Sequence, residues 1–130
     1  MSESVRMFVN GEAMSGGPLN MHLRDAVCRG PRATAARYRF YSVRDEFPGL
    51  HPVPVGGVSV PGELYEVSYA VLRGRLLPAE PPELELGIIE LDDGTGSLAM
   101  RMRADALAAP GVSDISEAGG WLRYTGQEQR

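Results

Sequence analysis

The sequence predicts an α+β fold: a small, mixed, partly closed β-barrel with one or two short helices. Segments with strand-type alternation outnumber helical segments along the 130 residues. Where hairpin signals are visible, they make neighbouring strands antiparallel. The length and the apolar fraction of 43% suit a single domain, residues 1–130, and its core must be largely aliphatic because aromatic residues are only 7%.

The first half of the chain predicts two strands and one helix. Residues 7–9 have the apolar run of a short buried strand. Apolar residues at helical spacing predict a helix over residues 19–28, ended by the Gly-Pro pair that follows it. Residues 33–43 alternate from Tyr38 onward and predict a strand, whereas the proline-rich residues 44–57 predict an irregular connection.

The second half predicts three further strands and a short helix. Residues 58–67 form a strand interrupted at a Pro-Gly pair, and Ser68 is a suitable N-cap for a helix after it. Residues 86–91 and 97–102 are the two strands of a hairpin, joined by the turn sequence Asp-Asp-Gly-Thr-Gly. We expect the aromatic tail, which includes Trp121, to pack back onto the sheet.

Composition excludes several classes of function. The net charge is −4, the pI is about 5.2 and the arginines are scattered, which argues against a nucleic-acid partner. All 13 basic residues are arginine, so lysine Schiff-base chemistry is excluded. The single cysteine, Cys28, cannot form an internal disulfide, and no apolar run approaches the ~18 residues of a membrane span. Without a leader-like apolar segment at the start, we expect a cytoplasmic protein.

Residues 10–20 form the first candidate site. This glycine-rich stretch follows the first strand and precedes the predicted helix. Successive backbone N–H groups at such a turn can hold a small anion. A plain connector is the alternative, and the pattern alone favours the connector.

A cluster of acids forms the second candidate site. The cluster comprises Glu80, Glu83, Glu85 and Glu90. Glu83 and Glu85 share one face if this segment is extended, and a carboxylate beside the apolar residues at 84, 86 and 88 could have a raised pKa and act as a general acid or base. The alternative is a solvated loop rich in Glu and Pro. The two histidines lack partners at metal-ligand spacing, so we expect no metal site and no cofactor.

Several segments together resemble one known family. "FVNGEAMSGGPLNMHL", "TAARYRFYSV", "GELYEVS", "LELGIIELDDG" and "DISEAGGWLRY" occur in the order found in the gamma-glutamylcyclotransferase-like superfamily. They are most similar to the C-terminal domain of allophanate hydrolase. This resemblance covers almost the whole chain and implies a small mixed barrel with a polar pocket beside the first loop.

The resemblance also implies an activity on small molecules. The domain would act on a carboxylated urea, a carbamate or a related amide, by decarboxylation or other C–N chemistry. One alternative is the cyclotransferase reaction, in which an amine attacks a carbonyl within the same molecule. Another is a non-catalytic module that binds a metabolite or an amidase. The expected partners are a small-molecule substrate and a separate amidase; neither nucleic acid nor membrane is expected, and a homodimer is permitted.

The resemblance selects the candidate site residues. One glutamate, Glu83 or Glu85, would move the proton. The substrate-binding candidates comprise the opening loop, two arginines and a tyrosine: Asn10, Gly11, Glu12, Ala13, Met14, Gly16, Gly17, Arg37, Arg39 and Tyr38. Backbone amides near the loop glycines would hold a carboxylate or carbonyl oxygen, and arginine would neutralise its charge.

Overall fold

The computed structural model describes residues 4–126, in which eight strands form one mixed sheet. The sheet order is β2-β5-β1-β7-β4-β3-β8, and β6 pairs with β7 outside this path. The strands are β1 (Ser4–Val9), β2 (Val27–Ala33), β3 (Tyr38–Val43), β4 (Phe47–Pro52), β5 (Pro61–Ser68), β6 (Leu84–Glu90), β7 (Gly96–Met102) and β8 (Val112–Asp114).

The helices are short. Helix α1 (Tyr69–Val71) continues as a π turn and a 3-10 turn, Leu72–Leu76 and Leu77–Ala79, and α2 (Trp121–Thr125) lies near the end of the chain. Single 3-10 turns span Asn20–Leu23, Ala104–Ala106 and Ser116–Ala118. The hydroxyl of Ser68 accepts a hydrogen bond from the amide of Val71 at 3.1 Å, which confirms the predicted N-cap. In the part of the chain described, no helix has the length and apolar character needed to cross a membrane.

The curled sheet and the short helices confirm the predicted fold class. The hydrophobic core of the protein lies between the inner face of the sheet and the terminal helix α2. Phe8, Phe40, Leu50 and Trp121 are almost completely buried within one apolar cluster. Burial of such large side chains, at about 25 cal/mol for each Å² of apolar area, is the main force that holds the curled sheet closed.

Strand β7 has three partners, and their arrangement opens a gap in the sheet. β6 pairs antiparallel with all of β7, so β1 and β4 share the other edge of β7. β1 pairs with it in parallel at Leu98 and Ala99, and β4 pairs with it in parallel at Arg101. The two strands therefore separate near Met100, where one pairing ends and the other begins.

The predicted helix over residues 19–28 is wrong. Only Asn20–Leu23 form a 3-10 turn, and from Val27 the chain enters β2. The apparent helical spacing combined apolar residues from a turn with those of a strand. The Gly-Pro pair lies inside β2, where a shift of register between Cys28 and Gly30 interrupts the pairing with β5. Since β2 is an edge strand, Pro31 needs no partner for its nitrogen.

The predicted irregular connection over residues 44–57 is also wrong in its first part. Phe47–Pro52 is the regular strand β4, which pairs with β3 along its length. On the edge that faces β7, β4 pairs only at Leu50, so most of this edge makes no ladder hydrogen bonds. Pro48 and Pro52, which have no backbone N–H to donate, are therefore tolerated in β4. The short strand β8, which pairs with β3, was not predicted at all.

Candidate functional site

A cavity of about 470 Å³ lies where β1 and β4 separate. The end of β1 and the loop after it form one wall, and the start of β4 forms another. The segment from Ala79 to Leu84, which follows α1, forms the third wall, and Met100 of β7 also lines the cavity. The divergence of two strands from a shared edge thus produces a concave site next to the glycine-rich loop.

The opening loop is fixed from outside the cavity. One carboxylate oxygen of Glu63, on β5, accepts hydrogen bonds from the amide of Ser15 at 2.8 Å, from the Ser15 hydroxyl at 3.1 Å and from the Tyr65 hydroxyl at 2.9 Å. The Asn20 amide group donates to the carbonyl of Ala13 at 2.9 Å and to the Tyr65 hydroxyl at 3.0 Å. These bonds tie the outer part of the loop to the sheet and leave its first residues facing the cavity.

The first residues of the loop retain unused donors. Gly11, Glu12 and Ala13 line the cavity, and within residues 4–126 their backbone amides donate to no other residue. Gly11 approaches β4 so closely that a Cβ atom would overlap the ring of Pro48. Further along, the amide of Gly17 is consumed by the carbonyl of Met14 at 2.8 Å. The available donors are therefore those of residues 11–13, beside the gap in the sheet.

Glu80 is the acid with the most perturbed pKa in this cavity. Burial raises the pKa of its carboxyl from 4.5 to about 7. The residue ends the 3-10 turn after α1, where its amide donates to the carbonyl of Leu77 at 3.1 Å. It is followed directly by Pro81 and Pro82, whose fixed φ angles limit the movement of the segment. A carboxyl group in this state can donate or accept a proton near neutral pH.

A second acid in the cavity is paired with arginine. Arg44 Nη1 donates to Glu83 Oε2 at 3.0 Å, and its Nε donates to Glu46 Oε1 at 3.2 Å. The hydrogen bond from Arg44 lowers the pKa of Glu83, whereas burial raises the pKa of Glu12 on the opposite wall. The pKa values of Glu83 and Glu12 are therefore shifted in opposite directions, although both residues line the same cavity.

Two residues that line the same cavity each have a buried side-chain atom with no hydrogen-bond partner in the described chain. These atoms are the side-chain nitrogen Nδ2 of Asn10, a donor, and Oε1 of Glu83, an acceptor. Buried polar groups are normally hydrogen bonded, and leaving one unpaired costs about 1–3 kcal/mol.

The structure brings together only part of the predicted set. Asn10, Gly11, Glu12, Ala13 and Glu83 line the cavity. Met14 is buried in the core beneath the loop, while Gly16 and Gly17 lie outside the cavity lining. The roles proposed for these three residues have no geometric support in this cavity.

The remaining predicted residues lie elsewhere on the sheet. Glu85 pairs with Arg103 at 3.3 Å, and Arg37 pairs with Glu90 at 2.8 Å. Arg39 pairs with Asp114 at 3.0 Å. The hydroxyl of the buried Tyr38 accepts a hydrogen bond from the amide of Glu90 at 2.7 Å. None of Glu85, Arg37, Arg39 and Tyr38 lines the cavity.

Sequence analysis named Glu80 in the acid cluster but did not choose it as a site residue, and it did not identify Arg44 as a site residue. The prolines on both sides of Glu80 were the available signal, because they favour a rigid segment. Arg44 follows the alternating strand directly, but the proline-rich stretch after it was read as a connection, so its place in a hairpin turn was not recognised. Among residues 4–126, no three His, Cys, Asp or Glu side chains are grouped as a metal site requires.

Solved structures show strong similarity to this chain. A uropathogenic E. coli-specific protein is 31% identical and superposes with a TM-score of 0.89, over 97% of this chain and 98% of the other. Kluyveromyces lactis allophanate hydrolase is 26% identical with a TM-score of 0.87; the match covers 98% of this chain but only 22% of the hydrolase. An AIG2-like protein from Mus musculus is 22% identical with a TM-score of 0.62, over 84% of this chain and 82% of that one, which shows the fold alone. Among curated proteins, no sequence matches this chain.

The family model for the allophanate hydrolase C-terminal domain matches residues 5–126. This match confirms the resemblance predicted from the five sequence segments. In the Kluyveromyces lactis hydrolase the same domain is part of a much longer chain. The chain belongs to the family of allophanate hydrolase C-terminal domains.

Proposed function

We propose that this chain is a small-molecule enzyme that cleaves a C–N bond in an N-carboxylated urea- or carbamate-type substrate, with Glu80 as the proton donor. One observation carries the proposal. A carboxyl whose pKa is raised to about 7 lines the same cavity as three backbone amides that have no partner in the described chain. A non-catalytic module needs no acid or base beside the loop, so this observation favours an enzyme.

The proposed reaction is a decarboxylation. The bond between the nitrogen and its carboxylate carbon breaks, the carboxylate leaves as CO₂, and the electron pair of the bond remains on nitrogen. The protonated carboxyl of Glu80 supplies the proton that nitrogen requires, and ionised Glu80 then takes a proton from water. The amides of residues 11–13 and the side chain of Asn10 would bind the oxygens that stay with the product.

The charge of the cavity gives the proton of Glu80 a second role. Among residues 4–126, the lining contains the carboxyls of Glu12, Glu46, Glu80 and Glu83 but only one guanidinium, that of Arg44. An anionic substrate is repelled when all four carboxyls are ionised. Protonation of Glu80 removes one negative charge, so the form of the enzyme that repels the anion less is also the form that holds the proton to be transferred.

The excess of carboxyls favours a second candidate, cyclisation of an amide that carries an ammonium group. Here the ionised form of Glu80 takes a proton from the ammonium, and the free amine attacks the carbonyl of the same molecule. The bond between that carbonyl carbon and the original amide nitrogen then breaks, Glu80 returns its proton to the leaving amine, and the attacking nitrogen loses its second proton to water. The amides of residues 11–13 would stabilise the carbonyl oxygen as negative charge develops on it. The two candidates need opposite protonation states of Glu80, so their pH profiles separate them.

The test supplies both kinds of substrate. A purified amidase acting on allophanate would generate the N-carboxylated carbamate in place, and CO₂ release would be measured with and without this chain. For the proposed reaction we expect kcat/KM to fall about tenfold for each pH unit above about 7. The Glu80→Gln variant should lose at least ~100-fold in rate, whereas Glu85→Gln, outside the cavity, should match the wild type.

The cyclisation arm uses gamma-glutamyl amines, with release of the amine as the readout. Activity there that increases with pH up to about 7 and then levels off would support the second candidate instead. No acceleration of either reaction by the chain, or full activity in Glu80→Gln, would rule out Glu80 as the group that transfers the proton.

A further inference from the structure

Arg44, which supplies the guanidinium of the cavity, sits on an unusual backbone. It lies in the turn between β3 and β4, where its φ is 53° and that of Asp45 is 57°. Both values fall in the left-handed region that residues other than glycine rarely adopt. Two such residues in succession, closed by the hydrogen bond from the Glu46 amide to the Val43 carbonyl at 2.9 Å, match a type I′ hairpin turn. Since that turn favours glycine and asparagine, the contacts around Arg44 and Asp45 help to hold it in place.

The first of these contacts comes from the carboxylate of Asp45. Its Oδ1 accepts hydrogen bonds from the hydroxyl of Ser42 at 2.8 Å and from the hydroxyl of Tyr124. The amide of Asp45 donates in turn to the Ser42 hydroxyl at 3.1 Å. Tyr124 belongs to α2, and its ring stacks on the buried Trp121 with 5.8 Å between the ring centroids. The terminal helix therefore anchors the turn to the core.

The second contact comes from Gly111. Its carbonyl accepts a hydrogen bond from the amide of Arg44 at 2.8 Å. Its φ is 84°, and a Cβ atom at this position would lie 2.8 Å from Cγ of Arg44. Glycine is therefore required twice here: for the backbone conformation and for the space that the Arg44 side chain occupies.

These contacts direct the guanidinium of Arg44. It reaches Glu83 Oε2 at 3.0 Å and Glu46 Oε1 at 3.2 Å, and it lies 5.8 Å from the centre of the Phe47 ring. We propose that Asp45, Tyr124 and Gly111, none of which lines the cavity, are positioning residues that hold the guanidinium of Arg44 on Glu83. The proposal rests on the proposed function in one respect: it assumes that the ion pair between Arg44 and Glu83 contributes to substrate binding.

The test measures the pKa of Glu83 directly, by a ¹³C NMR titration of its side-chain carboxyl, and needs no substrate. In the wild type the hydrogen bond from Arg44 holds this pKa below its ordinary value. Arg44→Gln removes the guanidinium and gives the reference increase in the Glu83 pKa. We expect Asp45→Ala and Gly111→Ala to produce most of that increase, and Tyr124→Phe, which keeps the stacked ring, to produce part of it.

Asp45→Asn is the matched conservative variant. Asparagine adopts the left-handed region readily, and its carbonyl oxygen can accept from both hydroxyls. We therefore expect the Glu83 pKa in Asp45→Asn to stay close to the wild-type value, although the negative charge is gone. Each variant is titrated only if its amide NMR spectrum is that of a folded protein. If Asp45→Ala or Gly111→Ala unfolds, Tyr124→Phe provides the test of the positioning role.

The outcomes distinguish this proposal from the proposed function. An unchanged Glu83 pKa in Tyr124→Phe, Asp45→Ala and Gly111→Ala, while Arg44→Gln raises it, would overturn the positioning role. So would the absence of any increase in Arg44→Gln, because the ion pair would then not form in solution. If the positioning variants raise the pKa of Glu83 while the reactions tested above are absent, the positioning role stands and the proposed function fails.

Discussion

Replacing Glu80 with Gln should remove a pH-dependent loss of stability. Burial raises the pKa of this carboxyl from 4.5 to about 7, so the folded protein binds the proton more tightly than the unfolded chain does. Between pH 4.5 and 7 the unfolded chain loses this proton first, and the stability of the fold falls as pH rises. Above about pH 7 the fold carries the full cost of a buried carboxylate.

The size of the effect follows from the two pKa values. At ~1.4 kcal/mol for each pH unit, a rise from 4.5 to about 7 corresponds to about 3 kcal/mol. This figure is an upper limit because the side chain keeps part of its contact with water. Glutamine resembles the neutral acid, so Glu80→Gln should exceed the stability of the wild type by less than ~1 kcal/mol at pH 5 and by up to ~3 kcal/mol at pH 8.

Urea denaturation at pH 5, 6, 7 and 8 measures the free energy of unfolding of each variant. Acids with a lowered pKa, such as Glu83 and Asp45, titrate below this range and do not interfere. Glu12, whose pKa is also raised by burial, needs its own Glu12→Gln control. Glu85→Gln should follow the wild type. A stability of Glu80→Gln that declines with pH as steeply as that of the wild type would refute the reasoning.

Two further predictions concern the loop. Gly11→Ala should destabilise the protein by about 1–3 kcal/mol in urea denaturation, because the added methyl group overlaps the ring of Pro48. The control Gly74→Ala should be neutral or stabilising, since nothing lies within 4 Å of a Cβ atom added there. Equal effects of the two variants would contradict this explanation. Glu63→Ala should make the loop more mobile, because it removes the carboxylate oxygen that accepts three hydrogen bonds. Hydrogen exchange at the amide of Ser15 should then become faster. Exchange at the wild-type rate would show that Glu63 does not hold the loop.

Where the local pattern was strong, the sequence predicted the fold well. The alternation of β3 and the turn signal between β6 and β7 were read correctly, as was the Ser68 cap of α1. Each is a local feature, set by side-chain spacing or by one hydrogen bond a few residues away. Prediction failed for β2 and β4, because prolines and mixed spacing hid strands whose existence depends on pairing with distant segments.

The candidate site was predicted only in outline. The loop and Glu83 lie beside the cavity, but Glu80 and Arg44 had to be found in the structure. The raised pKa of Glu80 comes from its burial, and that burial depends on residues distant in sequence that form the other walls of the cavity. The direction of the Arg44 side chain depends on Gly111 and Tyr124, which are far from it in sequence.

The amino-acid sequence by itself determined the class of fold, the family resemblance and the glycine-rich loop, because these follow from composition, periodicity and the order of short motifs. Only the tertiary structure decided which groups share a cavity and which charge each carries. The reason is physical: a pKa and an unpaired hydrogen-bond donor are properties of the surroundings, and here those surroundings form where two strands separate from the shared edge of β7.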